Sequence, residues 1–266
     1  MGVRVPARTW TRLDEVPLSA ASLEALLANE IPAIRIRAFA TPDECAAFTR
    51  AVRAAPIRHY SVTPPVGYIG MAQYEYRWDR PKGDYFADVA GANANLARVT
   101  SASFDPLARV VGRLRQAHGE PVGVAVEPGL GPYYAGIVRI ASGGIRLHAD
   151  FAPYNSPGYA IGRIDAQIAW NFYAEQPGRG GETAVHNAPW SPDAPEGTIP
   201  PSYDLPRELV AGAPVHRFEP TAGDVVLFNT RNPHEVLGGS DDGGRDRVSI
   251  GSFVGRAPDG TLVMWS

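Results

Sequence analysis

The stretch from Arg139 to Asp150 limits what this chain can fold into more than any other part of the sequence. Apolar and polar residues alternate along much of it, on both sides of a Ser-Gly-Gly sequence at residues 142–144. Such alternation is typical of β-strands, and a short Gly-rich connection is typical of a β-hairpin. We therefore predict a hairpin with strands over Ile137 to Ile140 and Ile145 to Asp150.

The second predicted strand carries an imidazole and a carboxylate two residues apart. Because side chains on a strand alternate between its faces, His148 and Asp150 point to the same side and can both bind one metal ion. His234, near the C-terminus, can supply a third ligand. Two histidines and one carboxylate form the facial triad of non-haem Fe(II) oxygenases. A lone His-x-Asp also arises by chance, as a polar pair on a solvent-facing strand.

Composition excludes several classes of protein. A chain of 266 residues suits one domain with a large core, and 28 Gly with 25 Pro favour many turns and a β-rich fold. The net charge of -3 gives no indication of nucleic-acid or anionic-membrane binding. Cys45 is the only cysteine, which rules out an internal disulfide and a thiolate zinc cluster. Without an apolar signal core or a membrane-length apolar run, we expect a cytoplasmic protein.

Helix signals are concentrated in the first half of the chain. Thr41 is a capping residue followed by Pro42 and by a capping-box glutamate, Glu44, which predicts a helix to about Ala55. Two further helices are predicted, over Leu18 to Asn29 and from Asp105 to about His118. Apolar patterning predicts strands over Ile31 to Phe39, Asp165 to Tyr173, Val215 to Phe218, Val225 to Phe228 and Arg247 to Val254.

Two long segments lack a regular pattern. The first, Ile57 to Phe86, is rich in tyrosine and is interrupted by proline and glycine. It can serve as a lid over a substrate, because aromatic loops supply contact area, or it can simply pack on the core. The second, Trp190 to Pro206, is Pro-rich. Insertions of this length mildly favour a closed site for a small substrate over an open groove.

Polar residues at alternate positions mark two more strand faces. Gln167, Asn171 and Tyr173 share one face of their strand, which lines a polar cavity if the opposite, apolar face packs against the helices. The reverse orientation is equally compatible with the sequence. Arg247 and Ser249 share a face of the last predicted strand. An arginine fork beside a hydroxyl suits a carboxylate ligand, unless that strand is simply exposed.

Taken in order, these motifs resemble those of Fe(II)/2-oxoglutarate-dependent oxygenases. The motifs are His148-x-Asp150, Gly180-Gly181-Glu182-Thr183, Ala222-Gly223-Asp224-Val225-Val226-Leu227-Phe228, His234 and Arg247-x-Ser249. The sequence is similar to the prolyl-4-hydroxylase-like branch, and within it to bacterial enzymes that hydroxylate or halogenate aliphatic carbons of free small molecules. The match runs from about Ile31 to Phe253. One departure is Ile140, which stands where many prolyl hydroxylases have a tyrosine near 2-oxoglutarate.

The resemblance implies a mainly β fold with flanking helices, a double-stranded β-helix of the jelly-roll, cupin-like type. We expect a single domain over residues 1–266, with helical support and lid segments in 1–120 and the jelly-roll core in 121–256. His148, Asp150 and His234 would bind Fe(II), leaving sites for 2-oxoglutarate and O2. Arg247, helped by Ser249, would pair with the distal carboxylate of 2-oxoglutarate, and Asn171 is a candidate contact.

Asp150 also separates two reactions of the resembled family. Iron halogenases of this group carry glycine or alanine at the corresponding position, which leaves room for chloride on the metal. This chain has a carboxylate there. We therefore expect hydroxylation, or a related desaturation, rather than chlorination.

The sequence gives less information about the substrate. Arg77, Arg139, Arg146 and Arg163 lie in or near segments bounding the expected pocket, which favours a carboxylate-bearing substrate such as an amino acid or an N-acyl amino acid. Each could instead be a surface charge. Tyr68 and its aromatic neighbours would equally suit a bulky apolar natural product. Two other functions stay open, namely hydroxylation of a protein side chain in an open groove and a non-catalytic jelly-roll that only binds.

Overall fold

The computed structural model describes residues 10–60, 66–77, 80–141, 143–192, 204–238 and 246–266. Five α-helices lie within these ranges: α1 (Ala20–Leu27), α2 (Pro42–Ala54), α3 (Lys82–Ser101), α4 (Pro106–His118) and α5 (Ala152–Asn155). Short 3-10 helices cover Gln73–Tyr76, Ala160–Arg163 and Arg207–Val210. No helix of the described ranges has both the length and the apolar character needed to cross a bilayer.

The strands of the described ranges form two facing sheets and a small separate ribbon. They are β1 (Ala33–Ile36), β2 (Arg58–His59), β3 (Gly67–Ile69), β4 (Val122–Val124), β5 (Val126–Glu127), β6 (Gly131–Pro132), β7 (Ile137–Ala141), β8 (Ile145–His148), β9 (Ala166–Glu175), β10 (Thr183–His186), β11 (Val215–Phe218), β12 (Val225–Asn229), β13 (His234–Val236), β14 (Arg247–Arg256) and β15 (Leu262–Trp265).

The larger sheet has the order β1-β12-β9-β14-β7-β3-β2, with β15 added to β14 and β4 added to β15. The smaller sheet has the order β11-β10-β13-β8. Every pair is antiparallel except β15 with β4. Two facing antiparallel sheets with helices on one side form the double-stranded β-helix that the sequence predicts.

The strand β9 shows how the core is divided between the two faces of the larger sheet. Ile168, Trp170 and Phe172 are buried against the helices, and Phe48 of α2 lies with its ring centroid 5.9 Å from that of Phe172. Tyr173 points the other way, into the space between the sheets. Of the two orientations that the sequence leaves open, the structure has the polar face inside.

The three predicted helices are present as α1, α2 and α4, whereas α3 and the short α5 are not predicted by the sequence. The capping box of α2 is formed as expected, since Thr41 accepts from the Glu44 amide at 3.2 Å while the Glu44 carboxylate accepts from the Thr41 amide at 2.9 Å. The long helix α3 begins inside the tyrosine-rich segment Ile57 to Phe86, which lacks a regular sequence pattern. Its N-cap is Pro81, which provides no capping side chain, so the usual start signal is missing.

The predicted hairpin is wrong in its pairing, although both strands exist. The strand β7 pairs with β14 and β3 in the larger sheet, whereas β8 pairs with β13 in the smaller one. The Gly-rich connection therefore carries the chain from one sheet to the other. A Cβ on Gly144 would lie 2.6 Å from the Val236 carbonyl oxygen, so a larger residue would displace the backbone at this crossing.

Candidate active site

The three predicted metal ligands converge in space. His148 ends β8 and lies opposite His234, which begins β13, and Asp150 follows two residues after His148. Their ligand atoms all lie within 4.8 Å of one another. Oδ2 of Asp150 is 3.6 Å from Nε2 of His148 and 3.7 Å from Nε2 of His234. The two imidazole nitrogens and the carboxylate oxygen thus face a common point, as a facial triad requires.

Hydrogen bonds to backbone carbonyls orient both imidazoles. Nδ1 of His148 lies 2.7 Å from the Arg146 carbonyl oxygen, and Nδ1 of His234 lies 3.0 Å from that of Asn232. A carbonyl can only accept, so each Nδ1 carries the proton and each Nε2 presents a lone pair. Burial, and then the neighbouring His148, hold the pKa of His234 well below its usual value. A neutral imidazole is the form that binds a metal.

The backbone around the triad is held by buried polar side chains that belong to no recognisable sequence motif. The amide of Asp150 donates to the Thr230 carbonyl at 2.8 Å, and the Thr230 hydroxyl donates back to the Asp150 carbonyl at 2.9 Å. The Asn232 side-chain amide, two residues before His234, donates to Asn29 at 2.6 Å. Asn29 follows α1, far away in sequence, so no local pattern could have indicated this contact.

The triad opens into a cavity of about 660 Å³ between the two sheets. At one end of it lie Arg247 and Ser249 of β14, Tyr173 of β9 and Thr183 of β10. Burial raises the pKa of the Tyr173 phenol, which stays protonated and can donate a hydrogen bond. One guanidinium and several hydroxyls therefore surround the same space.

Arg247 is a buried cation whose surroundings suit binding of an anionic ligand. It is 5% exposed, its Nε has no hydrogen-bond partner in the described part of the chain, and no described carboxylate forms a salt bridge with it. Burial lowers its pKa, because the charged form loses hydration. A buried charge without a counter-ion is costly, so a carboxylate ligand at this position would relieve the cost. The residues present therefore fit a dicarboxylic cosubstrate between Arg247 and the triad.

Two further sequence candidates line the cavity. Asn171 does so from β9 and Arg139 from β7, where it lies opposite Ser249 in the register of the sheet. Ile140, the position compared with the tyrosine of prolyl hydroxylases, packs instead against the core cluster on the helix side. The inward position on this strand thus belongs to Arg139.

Part of the aromatic segment also lines the cavity, through Tyr60, Tyr74 and Glu75. Arg146 also lines the cavity, but its side chain is 82% exposed and is paired with Asp204 at 2.8 Å. Of the Pro-rich segment Trp190 to Pro206, the structure describes only the two ends, since residues 193–203 lie outside the described ranges.

The structure does not bring the remaining substrate candidates into the main cavity. Tyr68 is buried beside it, stacked on Tyr60 with 4.2 Å between ring centroids. Arg77 lines a separate cavity of about 20 Å³ that also borders Asp150. Arg163 is exposed at the end of a 3-10 helix, away from both cavities.

A double-stranded β-helix with this triad, and with a buried arginine across the cavity, defines a non-haem iron oxygenase of the 2-oxoglutarate type. A solved structure of an N-substituted L-amino acid dioxygenase from Burkholderia ambifaria has the same fold, with a TM-score of 0.61 at 16% identity over 93% of this chain and 91% of that chain. The sequence profile of the family described as "Carrier-protein-independent halogenase WelO5" matches residues 10–266. The chain belongs to this family.

Two curated proteins are similar to this chain in sequence. Leucinostatins biosynthesis cluster protein S of Purpureocillium lilacinum is 34% identical over 216 residues, which are 77% of this chain and 87% of that protein. L-gamma-glutamyl-L-propargylglycine hydroxylase of Streptantibioticus cattleyicolor is 27% identical over 266 residues, which are 97% of each. The family description thus names a halogenase, while one full-length relative is named a hydroxylase.

Proposed function

We propose that this protein is an Fe(II)- and 2-oxoglutarate-dependent hydroxylase acting on an unactivated C–H bond of a small molecule derived from amino acids. The observation that carries the proposal is the complete triad, with ligand atoms within 4.8 Å of one another, facing the same cavity as a buried arginine. The name of one curated relative supports the substrate class, since that protein hydroxylates a γ-glutamyl amino acid, and the name of the other places it in a biosynthetic cluster.

Each part of the site has a role in this reaction. Iron(II) with 2-oxoglutarate and O2 would supply the oxidising power, with conversion of 2-oxoglutarate to succinate and CO2. His148, Asp150 and His234 would hold the metal through two imidazoles and one carboxylate. Arg247 pairs with the distal carboxylate of 2-oxoglutarate, and the hydroxyls of Ser249 and Tyr173 can donate to it.

Asp150 favours hydroxylation over chlorination. Its carboxylate takes the position that the halogenases of the family leave for chloride. Two hydrogen bonds hold its backbone, one from the Asp150 amide to the Thr230 carbonyl and one from the Thr230 hydroxyl to the Asp150 carbonyl. Chloride would therefore have to displace a buried, oriented ligand. We expect products that gain one oxygen atom even when chloride is present in excess.

The experiment that tests this function is a succinate-release screen with Fe(II) and 2-oxoglutarate across free amino acids, dipeptides and N-acyl amino acids, with product masses recorded with and without chloride. Asp150→Ala is the matched variant, because it removes the carboxylate while both histidines stay, and we expect its hydroxylation to be abolished. A chlorinated product from the unaltered protein would contradict the proposal.

Two other functions fit the structure less well. A hydroxylase of protein side chains acts on a macromolecule, whereas the curated relative named a hydroxylase acts on a γ-glutamyl amino acid. A non-catalytic jelly-roll does not require an intact metal triad. It also does not require a buried arginine, whose unpaired charge lowers the stability of the fold. A charge-transfer band on adding 2-oxoglutarate to the Fe(II) protein without air distinguishes the enzyme from the binding protein.

A further inference from the structure

The cavity is larger than its cosubstrate needs. Its volume of about 660 Å³ lies within the range of roughly 300–1,000 Å³ found for pockets that take drug-sized ligands. Only the end near the triad and Arg247 is needed for a small dicarboxylic acid. The rest, bounded by apolar residues such as Val66, Ile145 and Val236, has room for a substrate larger than a free amino acid.

Two opposite charges lie in the wall of that remaining space. They are Glu75, from the 3-10 helix Gln73–Tyr76, and Arg139, from β7. In the larger sheet, Arg139 lies opposite Ser249 of β14 on one side and opposite Tyr68 of β3 on the other. It is therefore placed between the strand that carries Arg247 and the aromatic segment that carries Glu75.

Glu75 is half-buried and makes no salt bridge within the described part of the chain. Arg58, Arg139 and Arg80 are the cations that influence its pKa, which burial raises above the usual value. Arg58 is engaged elsewhere, since its guanidinium donates to the Gly70 carbonyl and lies over the Tyr68 ring. A ligand ammonium beside Glu75 would form an ion pair with its carboxylate, in a cavity that Tyr60 and Tyr74 also line.

We propose that Arg139 and Glu75 bind the two charged ends of a zwitterionic substrate, the carboxylate at Arg139 and a free ammonium at Glu75, in a molecule of about dipeptide size. This inference rests on the proposed function and restricts the class of substrate that the hydroxylase accepts. It separates two classes that the arginines alone leave together, because an N-acyl amino acid has the carboxylate but lacks the ammonium. The substrate is then a free peptide or an amino acid with a long side chain.

The test uses apolar dipeptides such as leucyl-leucine in three forms: the zwitterion, the N-acetyl derivative and the C-terminal amide. Binding to the Fe(II)/2-oxoglutarate protein without air is measured by titration calorimetry, and turnover in air by succinate release. We expect the zwitterion to bind at least about 10-fold more tightly than either blocked form, the ratio typical of one charge-assisted hydrogen bond.

The variants make the assignment specific to each residue. Glu75→Gln should remove the preference over the N-acetyl form alone, and Arg139→Gln the preference over the amide alone. Exposed residues of the same types provide the controls, Glu120→Gln and Arg50→Gln, which should leave both ratios unchanged. An Arg139→Gln protein whose affinity for 2-oxoglutarate falls, with the dipeptide ratios intact, would assign Arg139 to the cosubstrate and overturn the inference.

Failure of this inference can be told apart from failure of the proposed function. Protein that binds 2-oxoglutarate but no zwitterionic dipeptide, or that prefers the N-acetyl forms, overturns the inference and leaves the hydroxylase standing. Protein that does not bind 2-oxoglutarate at all, with the metal verified, removes the hydroxylase itself.

Discussion

At the scale of single residues, two buried arginines are expected to affect the stability of the fold in opposite ways. Arg35 is 7% exposed and forms salt bridges with Glu15 at 2.6 Å and Asp224 at 3.1 Å. Arg247 is equally buried and forms none with a described residue. A charge without a partner destabilises the fold that contains it, so an anionic ligand that pairs with Arg247 would be expected to stabilise the protein.

Replacing Arg247 with methionine should therefore leave the ligand-free protein as stable as before, or more stable by up to about 4 kcal/mol, because a desolvated charge is removed. The same replacement at Arg35 should cost about 3–5 kcal/mol, since it leaves two carboxylates unpaired. Urea unfolding of the metal-free proteins measures both. A large loss of stability in Arg247→Met would mean that this guanidinium is already paired without a ligand.

The sequence identifies the residues that chemistry requires more readily than those that hold them in place. His148 and Asp150 can be predicted because strand periodicity puts them on one face and the metal limits the residue types. Periodicity also puts Arg247 and Ser249 on one face, but their role as the carboxylate site stays a prediction. Thr230 and Asn29 are polar residues of common types at loop positions, and only the folded chain brings them to the triad.

At the scale of elements, the junction of α2 and α4 depends on one carboxylate. Glu44 accepts from the Thr41 amide and pairs with Arg109, whose Nη2 is 2.5 Å from Oε1. The Arg109 guanidinium is the main reason that the pKa of Glu44 falls to about 2. The ionised form is thus favoured by folding, and this stability exists above the unfolded pKa and disappears as the pH falls towards 2.

The variant Glu44→Gln should then lose about 1 kcal/mol at neutral pH, as for other caps, and the difference from the unaltered protein should vanish between about pH 5 and pH 2. Thermal unfolding at a series of pH values measures the difference. Asp43→Asn is the matched control, an exposed acid in the first turn of the same helix. A difference that stays constant over this range would argue that the Glu44 charge does not matter.

The crossing between the sheets gives a second prediction at this scale. Gly144→Ala puts a methyl group 2.6 Å from the Val236 carbonyl, so β8 and β13 must move apart beside His148 and His234. We expect a loss of about 1–3 kcal/mol in stability, the usual cost of overpacking, and weaker Fe(II) binding. Gly112→Ala in α4 is the control, because nothing lies within 4 Å of its added Cβ and alanine favours a helix. Unchanged metal affinity in Gly144→Ala would show that the crossing can relax locally.

The sequence predicts the existence of strands better than it predicts which strands pair with each other. The strands β7 and β8 follow from periodicity, but periodicity does not say which strand pairs with which, and a Gly-Gly turn permits a crossing as well as a hairpin. The helix α3 was missed because Pro81 does not cap it and because the aromatic residues at its start suggested a loop. Its buried face, Tyr85, Val89, Ala92, Leu96 and Val99, is spaced as a helix requires.

At the scale of the whole molecule, the site is shared between the sheets. The smaller sheet supplies His148 and His234 through β8 and β13, whereas the larger sheet supplies Arg247 through β14. Neither sheet alone can hold both the metal and the far end of a dicarboxylate. A ligand that engages the triad and Arg247 together therefore ties the two sheets to each other.

This arrangement predicts how stability depends on ligands. Fe(II) without air should stabilise the protein, and 2-oxoglutarate at 100 times its dissociation constant should add about 2.7 kcal/mol. Arg247→Met should keep the increment from the metal and lose most of that from 2-oxoglutarate, whereas His234→Ala should lose both, because the cosubstrate then has no metal to bind. The free energy of unfolding, measured without ligands, with Fe(II) alone, with 2-oxoglutarate alone and with both, gives the increment from each ligand. If Arg247→Met keeps the full increment from 2-oxoglutarate, the distal carboxylate is held elsewhere, and Arg139, on the neighbouring strand β7, becomes the residue to test.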